Sequence, residues 1–148
     1  MESVTPWRDT AWAMSEENVE AFRRGIDAFN RGEIEAVVQE HDPDVEWHPA
    51  LLQLLGGEAT VYRGHEGIRE MARDAAEAFA GLHFEILEIR DLGDRLLSEC
   101  HLRGRGKASG AETQTTFVFL VDFRNGEIVR VLSFLDRKDA LEAAGLRE

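Results

Sequence analysis

Residues 82–135 read LHFEILEIRDLGDRLLSECHLRGRGKASGAETQTTFVFLVDFRNGEIVRVLSFL, and this stretch decides the fold. Apolar and polar residues alternate at period two in runs that start at Leu82 and continue over residues 95–103, 112–123 and 128–135, a pattern typical of strands with one buried face. Between the runs lie Gly-Asp at 93–94 and Asn-Gly at 125–126, and both are two-residue turn sequences. The stretch therefore predicts four long strands joined as antiparallel hairpins.

Three amphipathic helices are predicted before these strands. Ser15 has the chemistry of an N-cap for the first helix, and Gly32 ends it. The second helix stops before Pro43, and the third ends at Gly81. The apolar positions that define the helices are Val19, Phe22, Ile26 and Phe29 in the first, Ile34, Val37 and Val38 in the second, and Ile68, Met71, Ala75 and Phe79 in the third.

Shorter segments complete the predicted order. Residues 45–48 alternate as a short strand, and a leucine-rich loop over residues 51–60 is expected to cover part of the protein. A last short helix packs back on the sheet after the final strand. Residues 1–14 show neither the helical nor the strand periodicity of apolar residues. We therefore expect a flexible extension over residues 1–14 and a single domain over residues 15–148.

The order of elements predicts how the sheet is covered. Four long antiparallel strands need one buried face, and the large apolar helical faces lie in the N-terminal half. We therefore expect an α+β fold in which a cone-shaped, curved antiparallel sheet wraps around the N-terminal helices. Gly104, Gly106 and Gly110 mark a predicted bend or bulge between the second and third long strands. The open end of such a cone is a natural pocket for a small molecule.

Composition excludes several classes of protein. The chain has 29 acidic and 17 basic residues, a net charge of -12, which disfavours nucleic acid as a partner. Cys100 is the single cysteine, so an intrachain disulfide is impossible, and it is interpreted as a small core residue. The sequence has no membrane-length apolar run and no signal-peptide pattern, which predicts a cytoplasmic location without a membrane partner.

Several motifs resemble a known family. They are DPDVEWHP at residues 42–49, YRGHEGIREM at residues 62–71 and RNGEIVRVLSFLDRKDALEAAGL at residues 124–146. Together with the opening helix pair, these motifs resemble the SnoaL-like branch of the NTF2-like, or ketosteroid-isomerase-like, superfamily. The resemblance implies the cone-shaped fold. It leaves the reaction open, because such proteins include isomerases, polyketide cyclases, epoxide hydrolases, dehydratases and members without known activity.

The resemblance also suggests a catalytic base. Isomerases of the family carry a carboxylate at the end of the first strand, just before a proline, and the matching residue here is His48 before Pro49. An imidazole can accept a proton near neutral pH, although a half-exposed histidine is also common at a strand end. Glu46 shares the face of His48 at period two, so it can orient His48 or act in its place.

Two further residues are candidates for catalysis. His101 is a second pocket imidazole if its face of the second long strand is the concave one, but the even-numbered residues of 96–102 form the more apolar face and are expected to fill the interior. Asp136 can pair with a histidine or polarise a water. Its alternative role is the N-cap of the last helix, with Asp139 three residues later.

Other residues are candidates for binding. Tyr62 can donate its hydroxyl to a developing oxyanion, although it lies on a different element from the tyrosine of the isomerases. The predicted pocket walls are Trp47, Phe117, Phe119 and Phe134. The five histidines show no metal-ligand spacing, and no dinucleotide fingerprint surrounds Gly64 and Gly67, so neither a metal nor a cofactor is expected.

These patterns predict a protein that binds an apolar, oxygen-bearing small molecule. One expectation is acid–base catalysis of isomerisation, cyclisation or hydration by His48 with the help of an acidic residue. The alternative is a non-catalytic ligand-binding or dimerisation module. Residues 117–121 are apolar on both faces of their strand, which predicts a homodimer through the outer face of the sheet.

Overall fold

The secondary structure follows the order expected from the sequence. The computed structural model describes residues 6–49 and 61–146. The helices in this part of the chain are α1 (Pro6–Asn30), α2 (Ile34–Gln39), α3 (Gly64–Ala78) and α4 (Arg137–Ala143). The strands are β1 (His41–His48), β2 (Tyr62–Arg63), β3 (Phe79–Asp91), β4 (Arg95–Gly106), β5 (Glu112–Arg124) and β6 (Glu127–Phe134). The predicted α+β class is confirmed.

The six described strands form one curved, unclosed sheet in the order β2-β1-β6-β5-β4-β3. Strands β3 to β6 are antiparallel neighbours, whereas β1 joins β6 in parallel and pairs with β2 antiparallel. Asn125 and Gly126 have φ angles of 53° and 78°, and positive φ at both positions is the geometry of a type I′ hairpin. The predicted set of hairpin-connected strands is therefore confirmed.

The sheet is irregular at β3 rather than at the predicted bulge. Strands β4 and β5 pair without interruption from residue 95 to residue 105, so the expected bulge is absent from this paired region, while the expected bend at Gly106 and Gly110 stays a prediction. The register instead shifts twice within β3, once beside Gly81, whose φ is +66°. Gly104 has a different use, because a Cβ there would lie 2.7 Å from a methyl carbon of Leu82. The missing side chain lets Leu82 lie across the sheet.

The first helix begins earlier than the sequence indicates. α1 starts at Pro6, so the prediction of Ser15 as its N-cap is wrong. Proline suits the first turn of a helix because its φ is already helical and an N–H is not needed there. The division into an extension of residues 1–14 and a domain of residues 15–148 stays a prediction. The leucine-rich loop predicted for residues 51–60 lies outside the described residues.

The third helix ends earlier than predicted. α3 stops at Ala78 because Phe79 has an extended backbone, with φ −135° and ψ 150°. Phe79 therefore begins β3 and is buried in the sheet rather than on the helical face. Gly81, the predicted helix terminator, lies within that strand.

We call the sheet surface that α1, α2 and α3 cover its inner face. Phe117, Phe119 and Val121 of β5 lie on this face and pack with helical residues that include Phe22 and Ile68. These side chains are buried, with at most 4% of their surface exposed. The packing agrees with the prediction that the sheet curls around the N-terminal helices.

The end of α1 is tied to the edge strand β3 by one side chain. Asn30 Nδ2 donates to the backbone carbonyl of Phe84 at 2.9 Å, and Asn30 Oδ1 accepts from the backbone N–H of the same residue at 2.9 Å. This paired hydrogen bond copies the contact that a neighbouring strand would make. It fixes the position of α1 against the sheet.

We call the opposite surface of the sheet its outer face, and α4 covers part of it. Val118 and Leu120 of β5 pack there with Ala140 and Leu141 of α4. The apolar residues on both faces of β5, which predicted a homodimer, therefore have packing partners within the chain. The homodimer itself stays a prediction.

No membrane-crossing segment is present among the described helices. None of them combines sufficient length with sufficient apolar character to span a bilayer. The cytoplasmic location is not tested by this finding and stays a prediction.

Candidate functional site

A cavity lies between the inner face of the sheet and the helices. Its volume is about 100 Å³, and the figure rises to about 890 Å³ when the open space at its mouth is included. Its described lining contains no Asp, Glu, Lys or Arg side chain. The aromatic residues in this lining are Phe22, Phe29, Trp47, Phe84, Phe117 and Phe119. Binding sites for small molecules are usually concave and mainly apolar, with few polar groups, and this cavity has those properties.

The aromatic wall is held by edge-to-face contacts. The ring centroids of Phe117 and Phe119 are 4.8 Å apart with an interplanar angle of 84°. Trp47 meets Phe119 at 5.4 Å, and Phe29 meets Phe84 at 5.2 Å, again edge to face. Such pairs stabilise by about 0.5–1.5 kcal/mol beyond the burial of their area. The rings therefore form a preorganised wall.

His41 is a buried titratable residue in this wall. It is 2% exposed and is the first residue of β1. Its Nδ1 donates to the backbone carbonyl of Val37 at 2.7 Å, and its Nε2 accepts from Trp47 Nε1 at 2.9 Å. Burial is the main reason that the pKa of His41 falls to about 4. His41 is therefore a neutral imidazole whose two nitrogens already have partners.

Ser133 is the other polar residue that sequence reasoning missed. It lies on β6 opposite Phe119 of β5 and lines the cavity. Its Oγ is buried and has no hydrogen-bond partner among the described residues. An unsatisfied buried hydroxyl costs about 1–3 kcal/mol in folding free energy. A buried polar atom in this state calls for an explanation, and a ligand in the cavity is one.

A period-two count would have found one of the two residues. Trp47 and Val45 share a face of β1, but the pairing with β6 is irregular between His41 and Glu46, so the count does not extend to His41. The same count along β6 puts Ser133 on the face of Val131, which also lines the cavity. The signal existed, but a single serine or histidine in a strand has no motif of its own.

His48, the predicted base, lies on the outer face. Trp47 lines the cavity, so the neighbouring His48 points away from it, and the register agrees, because His48 pairs with Leu132 of the outer cluster. His48 Nε2 lies 3.3 Å from Glu46 Oε1, and Arg63 Nη1 donates to Glu46 Oε2 at 2.9 Å. The hydrogen bond with His48, followed by that with Arg63, lowers the pKa of Glu46. Glu46 and His48 thus meet as expected, on the face opposite the cavity.

His101 also lies on the outer face. Cys100 pairs with the inner residue Phe117, whereas His101 pairs with Thr116. The expectation that the even-numbered residues of 96–102 fill the interior agrees with their burial at 2% or less. His101 is therefore not a pocket imidazole. Burial also raises the pKa of Cys100 to about 11, as expected for a small core residue.

The remaining predicted residues divide between the two faces. Trp47, Phe117 and Phe119 are brought together at the cavity. Phe134 packs in the outer cluster instead, because residues 132 and 134 of β6 lie on the face opposite Ser133. Asp136 is the N-cap of α4, and its Oδ1 accepts from the Lys138 N–H at 2.8 Å. Phe134 therefore packs on the outer face and Asp136 caps a helix, and neither is among the described residues that line the cavity.

Tyr62 is buried at the junction of β2 and α3. Its hydroxyl donates to Asp74 Oδ2 at 2.5 Å. Burial, and then this hydrogen bond, raise the pKa of Tyr62. The hydroxyl is therefore committed to Asp74, and Tyr62 is not among the described residues that line the cavity.

The described part of the chain holds no cluster of metal-binding side chains. No group of three or more His, Cys, Asp or Glu side chains in that part of the chain has a suitable arrangement. His65, for example, donates its Nε2 proton to the backbone carbonyl of His41 at 2.8 Å. That contact fixes α3 against β1.

Comparison with solved structures agrees with this architecture. An NTF2-like protein of unknown function from Burkholderia pseudomallei has a TM-score of 0.72 and 23% identity, covering 85% of this chain and 95% of its own. TerC, co-crystallised with polyporic acid, has a TM-score of 0.71 and 25% identity, covering 85% of this chain and 96% of its own. A protein with a ketosteroid isomerase-like fold from Catenulispora acidiphila, in complex with trimethylamine, has a TM-score of 0.70 and 16% identity, covering 86% and 94%.

Sequence comparison identifies the family. No curated protein matches the chain significantly. The family model described as the SnoaL-like domain matches residues 22–131, which include the C-terminal part of α1 and almost all of the sheet. The chain belongs to the SnoaL-like domain family, within the NTF2-like fold that the sequence motifs suggested.

Proposed function

We propose that this protein binds an uncharged, largely apolar small molecule in the cavity of its inner face. The observation that carries the proposal is a cavity of about 100 Å³ whose described lining is mainly aromatic and aliphatic and has no charged side chain. Burial of apolar ligand surface supplies about 25 cal/mol per Å². The six aromatic rings favour a ligand that itself contains flat unsaturated rings.

Gly25 supports the proposal independently. It lies within α1 and lines the cavity, and a Cβ built there has no described atom of another element within 4 Å. Glycine in a helix costs about 0.5–1 kcal/mol relative to alanine. Gly67 of α3 differs, because a Cβ there would lie 2.9 Å from the backbone of Tyr62. Close packing against Tyr62 explains why residue 67 is a glycine. Among the described residues no such contact exists at Gly25, and its missing side chain leaves space in the cavity.

One of the similar structures points to the same class of function. TerC, at 25% identity, was co-crystallised with polyporic acid. That ligand is a property of TerC alone. A fold that holds a small organic molecule in a relative is consistent with a ligand in the cavity of this chain.

Filling the cavity tests the proposal. We expect 2-naphthol to bind the full chain in isothermal titration, and we expect Gly25→Leu to weaken that binding by about tenfold or more, because the new side chain occupies ligand space. The matched control is Glu20→Leu, which adds the same side chain on the exposed surface of α1. Undetectable binding to the wild-type chain, or equal affinities for Gly25→Leu and wild type, would refute the proposal.

Acid–base catalysis by His48 is the second candidate function. The observation in its favour is the contact between His48 and Glu46, which can orient the imidazole. The reaction would be an isomerisation, cyclisation or hydration of a substrate that reaches His48 at the outer face of the sheet. Because His48 and the cavity lie on opposite faces of β1, we expect His48→Ala to leave the affinity for 2-naphthol unchanged. Turnover of any ketone or epoxide substrate that disappears in His48→Ala would establish catalysis in place of binding alone.

A further inference from the structure

We propose that Ser133 is the polar anchor of the cavity and that its hydroxyl binds the single oxygen of an uncharged, otherwise apolar ligand. This inference rests on the proposed function and adds a specificity-determining residue to it. It also narrows the ligand to molecules with one hydroxyl or carbonyl group on an apolar body.

The first step is the state of Ser133 itself. Its Oγ is shielded from solvent and has no hydrogen-bond partner among the described residues. Ser98 provides a comparison on the same inner face, because its Oγ donates to the backbone carbonyl of Glu88 at 3.0 Å. A buried hydroxyl that serves the fold is therefore bonded, as at Ser98. The unbonded hydroxyl belongs to Ser133, a residue that lines the cavity, and it can turn toward a ligand by rotation about χ1.

The second step is that the other polar groups of the cavity are engaged. The described lining contains three side chains able to form hydrogen bonds, those of His41, Trp47 and Ser133. The Trp47 N–H donates to His41 Nε2, and His41 Nδ1 donates to the Val37 carbonyl. Within the described lining, Ser133 is the side chain whose hydrogen-bonding capacity is left for a ligand.

The described lining of the cavity is uncharged. A charged ligand group would lose its hydration without gaining a counter-ion, because no Asp, Glu, Lys or Arg lines the described part of the cavity. The net charge of -12 further disfavours anions. A hydroxyl can donate to a carbonyl or accept from another hydroxyl, so Ser133 suits a neutral oxygen of either kind.

The test compares three probes of similar shape on two serine variants. The probes are 2-naphthol, naphthalene and 2-naphthoate, measured by isothermal titration with the full chain. We expect Ser133→Ala to weaken the affinity for 2-naphthol by about five- to tenfold, because one buried hydrogen bond is lost. The affinity for naphthalene should change by less than about twofold. We expect 2-naphthoate to bind more weakly than naphthalene to both wild type and variant.

The urea unfolding midpoint provides a second readout. Replacing a serine that only stabilises the fold would lower this midpoint. Ser133→Ala removes an unsatisfied hydroxyl, so we expect its urea unfolding midpoint to equal or exceed that of wild type. The matched control is Ser98→Ala, which loses a made hydrogen bond. That variant should unfold at lower urea while keeping the wild-type ratio of 2-naphthol to naphthalene affinity.

The outcomes separate this inference from the proposed function. If neither naphthalene nor 2-naphthol binds the wild-type chain, the proposed function fails and the anchor fails with it. If both bind, but Ser133→Ala weakens them equally or lowers the unfolding midpoint as Ser98→Ala does, the anchor alone is overturned. Tighter binding of 2-naphthoate than of naphthalene would also overturn the neutral-ligand assignment.

Discussion

The two faces of β5 show how one strand can build both a packed layer and a hollow. Its odd-numbered residues Phe117 and Phe119 lie on the inner face, and its even-numbered residues Val118 and Leu120 lie on the outer face. The outer residues are covered by α4, whereas the inner residues border open space beside α1. Apolar alternation therefore identifies the two faces of a sheet. Whether a cavity remains at a face depends on the element that packs against that face.

The largest expected effect tests whether the outer face is only structural. Leu120→Ala should lower the free energy of unfolding by about 3 kcal/mol, because Leu120 is 1% exposed beneath α4. The affinity for 2-naphthol should not change. Urea unfolding and titration measure the two quantities, and Leu87→Ala, at a leucine that is 51% exposed, is the control. Weaker ligand binding in Leu120→Ala would show that the faces are coupled.

The next effect is a pH dependence that belongs to the inner face. His41 has a pKa of about 4 when folded against 6.5 as the reference value, so the unfolded chain takes up the proton first as the pH falls. The stabilisation is complete above about pH 7 and is lost between about pH 6.5 and 4, with about 2 kcal/mol lost by pH 5. Urea unfolding at pH 7 and pH 5 measures it.

The matched variant for this prediction is His41→Gln, which does not titrate and can keep one hydrogen bond to Val37 or Trp47. Its stability should change less between pH 7 and pH 5 than that of wild type, because the contribution of His41 is removed. Parallel pH profiles for the two proteins would contradict the assignment to His41.

A smaller effect on stability is expected at Gly25, which lines the cavity. Gly25→Ala should raise the free energy of unfolding by about 0.5–1 kcal/mol, because alanine favours the helix and no described atom crowds the new Cβ. The same substitution at Gly67 should destabilise the protein, since its Cβ would lie 2.9 Å from the Tyr62 backbone. Thermal unfolding of the two variants measures the contrast. Destabilisation by Gly25→Ala would mean that this part of the inner face is already filled.

The smallest effect is expected at the ion pairs of the outer face. Arg137 Nη1 lies 3.1 Å from Glu99 and 3.4 Å from Glu88, and the arginine side chain is 43% exposed. Exposed pairs of this kind contribute about 0.2–1 kcal/mol, and salt screens them. Arg137→Met should therefore change the free energy of unfolding by about 0.5 kcal/mol or less. Urea unfolding at low and high salt measures this, and a loss comparable to that of Leu120→Ala would contradict it.

The strands and turns were predictable because their signals are local. Alternation reports which residues share a face, and Asn125-Gly126 has few alternatives to a tight hairpin. Helix ends were predicted less well. The apolar spacing predicted that the third helix extends through Phe79. Phe79 instead belongs to β3, because it pairs with Gly106 of β4. Gly81 then supplies positive φ at an irregularity in a strand rather than at a helix end.

The site was predicted only in part because its polar residues have no motif. Trp47, Phe117 and Phe119 were expected as pocket walls from their size and alternation, and they line the cavity. His48 was chosen by its position before Pro49, although one residue along a strand reverses the face. Ser133 and Gly25 become informative only through what surrounds them, a missing partner in one case and empty space in the other.

The paired hydrogen bond between Asn30 and Phe84 has a consequence for how the chain behaves in a crowded solution. β3 is an edge strand of 13 residues, long enough to serve as a template for the strands of other molecules. The Asn30 amide occupies the outward backbone N–H and carbonyl at Phe84, near the middle of that edge. One short side chain thus interrupts the template, which makes edge-to-edge pairing of β3 with another molecule less favourable.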